Sequence, residues 1–464
     1  MKYLFLLLSF FSLTLYAQEA ATPILPLPEC VEYEDGTFLF SNELRVYAEQ
    51  TEQTFRYMET ELEKRFGIRI KQVNRLAEAN CLLLNKKRNS QSEAYTLAIK
   101  STYIKIEADS ENGVFYAVQS LFQLLDVADG QFGRLSTQTI IDSPRFSWRS
   151  FMLDEARFFK GEAEVLRLLD VMAQLKMNVF HWHLTDDQGW RIEIKKYPML
   201  TEVGSRRKDS QSVGFNSETY IGKPHEGFYT QEQIKRILAY ARERHIKVVP
   251  EIEMPGHASA AIASYPWLGS SNEKIEVPVR FGKLYSVYNV VDPRVQTFLK
   301  EVITEVIDLF QCDVIHIGGD EVRFDQWESN AMVVDYKRKK GFTSFMDVQI
   351  EFTNHMSRFI QEHGCQMMGW NEILGKNLHK DDNIVFTDPS QKIASNVIVQ
   401  YWKGELEEMK KAAENGYQLV NSFHSYTYLD YSNETTPLCK TYDFDPIPQG
   451  LPKSYEKNII GIGA

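Results

Sequence analysis

Cysteine is scarce in this chain: five in 464 residues (Cys30, Cys81, Cys312, Cys365 and Cys439), far apart and odd in number. A disulfide framework is thereby excluded, no spacing among them suits zinc, and buried free thiols are the expected state. Basic clusters are missing as well, because the formal charge of -11 is spread along the chain. Nucleic acid and anionic membrane surfaces therefore find no electrostatic footprint. The apolar run near the amino terminus is too short to span a bilayer comfortably, and there is no short-period repeat or low-complexity segment.

What is present is ordinary for a globular protein, 43% hydrophobic and 25% charged residues, in a chain too long for one core. Two domains, one of them large, are the natural reading. Residues 1–17 begin with Lys2, run through Leu4-Phe5-Leu6-Leu7-Leu8 and end at Ala17, ahead of polar Gln18 and Glu19. That is the layout of a secretory signal peptide. Export to the periplasm, the cell surface or the exterior is expected, with no membrane span once the leader is removed. Residues 22–143 mix strand-like pieces (37–40, 44–47, 95–99, 103–106) with helical pieces near 54–65 and 113–125, which suggests a small α/β domain. From 144 onward, strand-like runs at 151–153, 178–184, 246–252, 314–317, 366–370, 397–402, 418–422 and 458–462 alternate with helical stretches such as 163–176, 231–244, 296–310 and 344–362. Eight strands with intervening helices predict a (β/α)8 TIM barrel over 144–464.

Polar residues collect where these strands end. They are Asp154 and Arg157; His181, His183, Asp186 and Asp187; Glu251, Glu253 and His257; Asp320 and Glu321; Trp370-Asn371-Glu372; Trp402; Tyr428 and Asp430. In a barrel the carboxyl ends of the strands share one face, so these residues should ring one pocket. The stretch 316–322 is the most informative, because Gly318 and Gly319 break a buried strand just before two adjacent carboxylates, Asp320 and Glu321. In an unbroken strand those two would point to opposite faces; a glycine-relaxed end can aim both into one pocket and let another group approach the backbone.

Tryptophans, acids and few cations suit a neutral, polyhydroxylated ligand whose ring stacks on indole while its hydroxyls meet carboxylates and arginine. Glycoside hydrolysis needs a protonated acid for the leaving oxygen and a second group that stabilises or captures the cationic sugar, and Asp320 and Glu321 could divide those roles. His181 and His183 lie on one face of a strand and, with Asp186 and His257 nearby, could instead hold a metal in a metal-dependent hydrolase. Such histidines are more often hydrogen-bonded core residues at a barrel mouth. Trp148, Trp267 and Trp327 lack a strand-end position and are read as packing.

Residues 149–154, residues 176–191 with His181-Trp182-His183 and Asp186-Asp187-Gln188-Gly189-Trp190, residues 250–257 and residues 316–322 together resemble the family 20 glycoside hydrolases, the β-N-acetylhexosaminidases. The segment before the barrel is similar to that family's usual preceding domain. The resemblance implies a retaining exo-enzyme that removes terminal N-acetylglucosamine or N-acetylgalactosamine from oligosaccharides or glycans without metal or cofactor, the substrate's own acetamido oxygen being the nucleophile. It implies that Glu321 is the acid and later the base, that Asp320 holds the acetamido N–H, and that Tyr428 bonds the acetamido oxygen. Asp186 and His257 would support the acid, Arg149 and Asp430 would take sugar hydroxyls, and Trp370 and Trp402 would form aromatic walls. Two departures stand out. Arg157-Phe158-Phe159 replaces the family's frequent Arg-His-Phe, leaving that histidine's place vacant. The sequence also stops at Ala464, before the Trp-x-Glu segment that normally continues the last strand. A barrel incomplete at its last strand is therefore expected, and with it the alternative of a catalytically impaired N-acetylhexosamine-binding protein or fragment.

Overall fold

The computed structural model describes residues 22–464 apart from 41–42, 87–89, 127–133, 215–216, 283 and 377–388, so the expected leader at 1–17 lies outside the described residues. The small domain is built on a mixed seven-stranded sheet in the order Cys30–Leu39, Arg134–Asp142, Tyr95–Ile99, Ile104–Ala108, Cys81–Asn85, Glu43–Glu49, Arg69–Gln72. Helices Glu52–Phe66 and Glu111–Asp126 pack on it. In Tyr95–Ile99 and Ile104–Ala108 every second residue is fully buried, the period-two pattern the sequence displayed. Arg69–Gln72, Cys81–Asn85 and Arg134–Asp142 escaped that reading. The first is a polar edge strand with little burial to impose a pattern; the second has a continuous Leu82-Leu83-Leu84 run without alternation. Helix Glu111–Asp126 is buried on almost every side, because it also lies against the barrel helix Glu162–Gln174.

Eight parallel strands close the barrel, in the order Trp148–Asp154, Val179–His183, Lys247–Glu251, Val314–His316, Gln366–Trp370, Ile398–Tyr401, Gln418–Asn421 and Ile459–Gly463. The outer helices start where their caps dictate. Thr230 and Gln233 form a reciprocal capping box before Gln231–Glu243, Asp292 caps Pro293–Phe310, and Ser344 with Asp347 opens Phe345–Glu362.

The eighth strand corrects the expectation of an incomplete barrel. Gly461, Ile462 and Gly463 pair with Trp148, Arg149 and Ser150 on one side, while Ile459, Gly461 and Ile462 pair with Leu419, Val420 and Asn421 on the other. The Met152 N–H also donates to the Ala464 carbonyl at 2.7 Å. Glycine is needed at 461, since a Cβ there would stand 1.7 Å from the Trp148 carbonyl oxygen. The seam therefore closes with its ladder bonds made, and the ring has no edge strand.

The small domain sits against the amino-terminal end of the barrel. Lys176 Nζ donates to the Tyr95 hydroxyl at 2.9 Å and to Asp142 at 3.0 Å, and Asn178 Nδ2 donates to Glu93 at 3.3 Å. The carboxyl ends of the strands are left to the loops. Among the described residues no helix is long and apolar enough to cross a membrane.

Candidate active site

After the fourth strand the backbone leaves the ladder through two left-handed glycines, Gly318 with φ 66° and Gly319 with φ 90°, and Glu321 is itself left-handed at φ 50°. For a residue with a Cβ that conformation costs roughly 1–2 kcal/mol, so the surroundings must impose it. The glycines do admit a neighbour: a Cβ on Gly318 would overlap the Glu253 carboxylate at 1.7 Å. They also turn both acids the same way. Asp320 Oδ2 lies 3.5 Å and Glu321 Oε2 3.6 Å from one atom, Nε2 of His257.

His257, left-handed as well at φ 48°, is fixed from its other side, with Nδ1 3.2 Å from Asp186 and 3.1 Å from Asp187. Burial alone would depress this imidazole, but Asp186 and Asp320 outweigh it and hold the group well above its usual value, as an imidazolium. Asp186 is buried too, yet Arg157 and His257 pull it far below the usual carboxylate range. Arg157 Nη2 reaches Asp186 at 2.7 Å and Nη1 reaches Asp154 at 2.9 Å. The run Arg157, Asp186, His257 thus delivers positive charge to the two open carboxylates.

Beneath them lies a second ionic layer. Glu251 accepts from the Trp370 indole N–H at 2.8 Å and lies 2.8 Å from His181 and 2.9 Å from His316. Burial pushes the His181 imidazole down to about 4, so it is neutral at pH 7. At His183 burial is overcome by Glu251 and Asp154, which hold that imidazole at about 9. Burial, reinforced by Asp320 and Glu251, drives Glu253 well above the carboxylate range, so this acid is protonated. His181, Glu251 and His316 are close enough to hold a metal ion, and so are three neighbouring triads: His183 with Glu251 and Glu253, Asp186 with Asp187 and His257, and His257 with Asp320 and Glu321. Their contacts already set imidazoles against carboxylates, which is the arrangement of a hydrogen-bonded charge network.

Trp370, 4% exposed, forms the floor between His316 and His181, with ring centroids 5.0 and 5.9 Å away. Trp402 and Tyr428 stack as a wall, centroids 6.3 Å apart and planes 15° from parallel. Burial raises the Tyr428 phenol well above its ordinary value, and Asp320 and Asp430 add to the rise, so its hydroxyl is a neutral donor. Asp430 is exposed at the rim.

Arg149 does not belong to this group. It stands near the start of the first strand, so its guanidinium points at the small domain: Nε to Lys176 O at 2.9 Å, Nη1 to Phe146 O at 2.8 Å and to Glu93 at 2.7 Å, over the Tyr116 ring at 5.4 Å. The arginine at the open end is Arg157. The place left vacant at Phe158 is attended by an imidazole from elsewhere in the chain, His225, stacked 4.2 Å from Phe158 and accepting the Phe159 N–H at 2.9 Å.

Two family models cover this architecture. "Glycosyl hydrolase family 20, catalytic domain" matches residues 146–464 and "Glycosyl hydrolase family 20, domain 2" matches 21–143. The chain belongs to glycosyl hydrolase family 20. Within the family it is similar to the beta-hexosaminidase of Porphyromonas gingivalis, 34% identical over 81% of this chain and 47% of that relative, and to that of Vibrio furnissii, 31% identical over 96% and 72%. Among solved structures it resembles the Flavobacterium johnsoniae chitobiase (TM-score 0.80, 32% identity, 96% of this chain and 65% of that one). It also resembles the Vibrio harveyi exo beta-N-acetylglucosaminidase in complex with N-acetylglucosamine (TM-score 0.81, 30% identity, 96% and 69%). The chain therefore spans about half the length of the first of these relatives and just under two thirds of the Flavobacterium chain.

Proposed function

We propose that this family 20 protein is a retaining exo-β-N-acetylhexosaminidase that releases terminal N-acetylglucosamine or N-acetylgalactosamine from oligosaccharides or glycans, and that it is exported from a bacterial cell. The observation that carries the reading is the convergence of Asp320 and Glu321 on His257 Nε2, at 3.5 and 3.6 Å, beside the stacked pair Trp402 and Tyr428. Glu321 gives its proton to the leaving oxygen as the bond from that oxygen to C1 breaks. Asp320 accepts the acetamido N–H, Tyr428 donates to the acetamido oxygen, and that oxygen closes on C1 to give an oxazolinium ion. Water then attacks C1 as the bond from C1 to the acetamido oxygen breaks and restores the acetamide, Glu321 takes the water's proton, and configuration is retained without a covalent enzyme intermediate. Trp370 and Trp402 enclose the acetamido methyl and the ring, and Arg157, in the role first given to Arg149, takes ring hydroxyls with Asp430 at the rim. A nitrophenyl N-acetyl-β-glucosaminide should be hydrolysed and the plain β-glucoside should not. Equal turnover of the two would refute the acetamido mechanism.

A further inference from the structure

We infer that Glu372 is the positioning residue for the acid Glu321, acting through that residue's main chain; the inference rests on the reading of Glu321 given above. Glu372 belongs to Trp370-Asn371-Glu372 at the end of the fifth strand, where three consecutive side chains tie three different strand ends. The Trp370 indole binds Glu251, the last residue of the third strand, at 2.8 Å. Asn371 accepts the Trp402 N–H at 3.1 Å and donates to the Lys403 carbonyl at 2.9 Å, holding the sixth strand's end. Glu372 Oε2 accepts the N–H of Glu321 itself.

That last bond matters because of where the ladder stops. Ile317 N–H still donates to Met368 O at 3.0 Å and Trp370 N–H to Gly318 O at 2.9 Å, but the chain then turns through Gly319 into the left-handed Glu321. Beyond the ladder the loop is gripped from the side. Gln349 Nε2 donates to the Gly319 carbonyl at 2.8 Å, Ile373 packs where a Cβ on Gly319 would come within 2.6 Å, and the Glu372 carboxylate holds the Glu321 amide. Glu372 is only 5% exposed, so water does not compete with it for that amide, and the reach of its side chain sets where the oxygen sits. It therefore fixes the φ of the acid, and with it the direction from which Glu321 meets the leaving oxygen.

The test compares Glu372→Asp, which keeps the charge but withdraws the carboxylate by one methylene, with Glu372→Gln, which keeps the reach and an acceptor oxygen but loses the charge. Each is assayed on a nitrophenyl N-acetyl-β-glucosaminide, whose leaving group needs little protonation, and on a disaccharide of N-acetylglucosamine, whose leaving group needs the acid. Because a misplacement of about 1 Å costs on the order of a hundredfold, Glu372→Asp should lower kcat on the disaccharide by roughly that factor and on the aryl substrate by less than about fivefold, with KM little changed. Glu372→Gln should stay within about fivefold of the parent on both substrates. A Glu372→Gln loss equal to that of Glu372→Asp, or an equal loss on both substrates, would overturn the inference. If Glu372→Asp does not fold, Glu372→Gln decides alone, since a folded variant with a large disaccharide-selective loss contradicts it. A parent protein that ignores the N-acetylated substrates, or a Glu321→Gln variant indifferent to the leaving group, brings down the underlying reading first and this inference with it.

Discussion

The two ends of the barrel both carry buried ionisable groups and use them differently. At the amino-terminal end Arg149 meets Glu93 and Lys176 meets Asp142, each cation facing an acid of the small domain. At the carboxyl end Asp186, Asp187, Glu251, Glu253, Asp320 and Glu321 crowd around Arg157 and the histidines, and Asp320 Oδ1, Glu253 Oε2 and His257 Nε2 have no hydrogen-bond partner among the described residues. An opening alone does not mark the site, for an open cavity of about 840 Å³ lies at the amino-terminal end, lined by Glu93, Trp148 and His245. The difference lies in surplus: one cation per acid joins the domains, whereas acids in excess of cations at the open end are arranged to act on something else.

The sharpest way to break that comparison is to remove one of the surplus acids. Asp320→Asn should lower kcat on the order of a thousandfold even with a nitrophenyl leaving group, because the acetamido group loses its anionic anchor. Glu321→Gln should lose as much only where the leaving group needs a proton. Kinetics on aryl and disaccharide substrates separate the two, and an Asp320→Asn enzyme that still turned over the aryl substrate normally would remove the anchor role.

Exchanging the ends with paired arginine substitutions should have a smaller and divided effect. Arg157→Ala should reduce kcat/KM by roughly a hundredfold, since a charged donor is lost from the pocket. Arg149→Ala should leave kcat/KM within a few fold and instead lower stability by about 2 kcal/mol, read by thermal or urea melting, because Glu93 is left without its cation. Similar kinetic losses in both variants would erase the distinction between the ends.

The smallest effect concerns pH. His183 is raised to about 9 in the folded chain, despite burial, by Glu251 and Asp154. Its folded value lies above the unfolded one of about 6.5, so the stability it contributes is fully present below about pH 6.5 and is lost as pH rises through about 9. Melting temperatures should decline across that window, and His183→Asn should flatten the decline. An identical slope in the variant would show that the charge resides elsewhere in the layer.

Much of this was legible in the sequence because buried parallel strands announce themselves as apolar runs and strand ends as polar punctuation. All eight barrel strands overlap the runs read for them, and the structure places Asp320, Glu321, Asp186, His257, Trp370, Trp402 and Tyr428 at one end of the barrel, with Asp430 exposed two residues beyond Tyr428. Arg149 was misplaced although a signal was available: it precedes the run 151–153, whereas Arg157 follows it, and only a residue after a strand can reach the open face. Two things were beyond reach. His225 arrives beside Phe158 from a short strand 67 positions away, and Glu372, read only as one of the polar residues at a strand end, holds a main-chain amide that leaves no side-chain pattern. The run 458–462 was read as a strand, but its pairing with both the first and the seventh strands, which closes the ring's seam, has no local signature.

That seam also governs how the protein is made. Ser150 Oγ donates to the carbonyl of Ile462, a residue 312 positions later, and the ladder beside it joins residues 313 positions apart. During synthesis the strand Trp148–Asp154 emerges early and waits, one edge unpaired, until Ile459–Gly463 clears the ribosome. Ring closure therefore waits on a strand more than 300 residues after the first, and until it happens the first and seventh strands present open edges to every other nascent copy nearby.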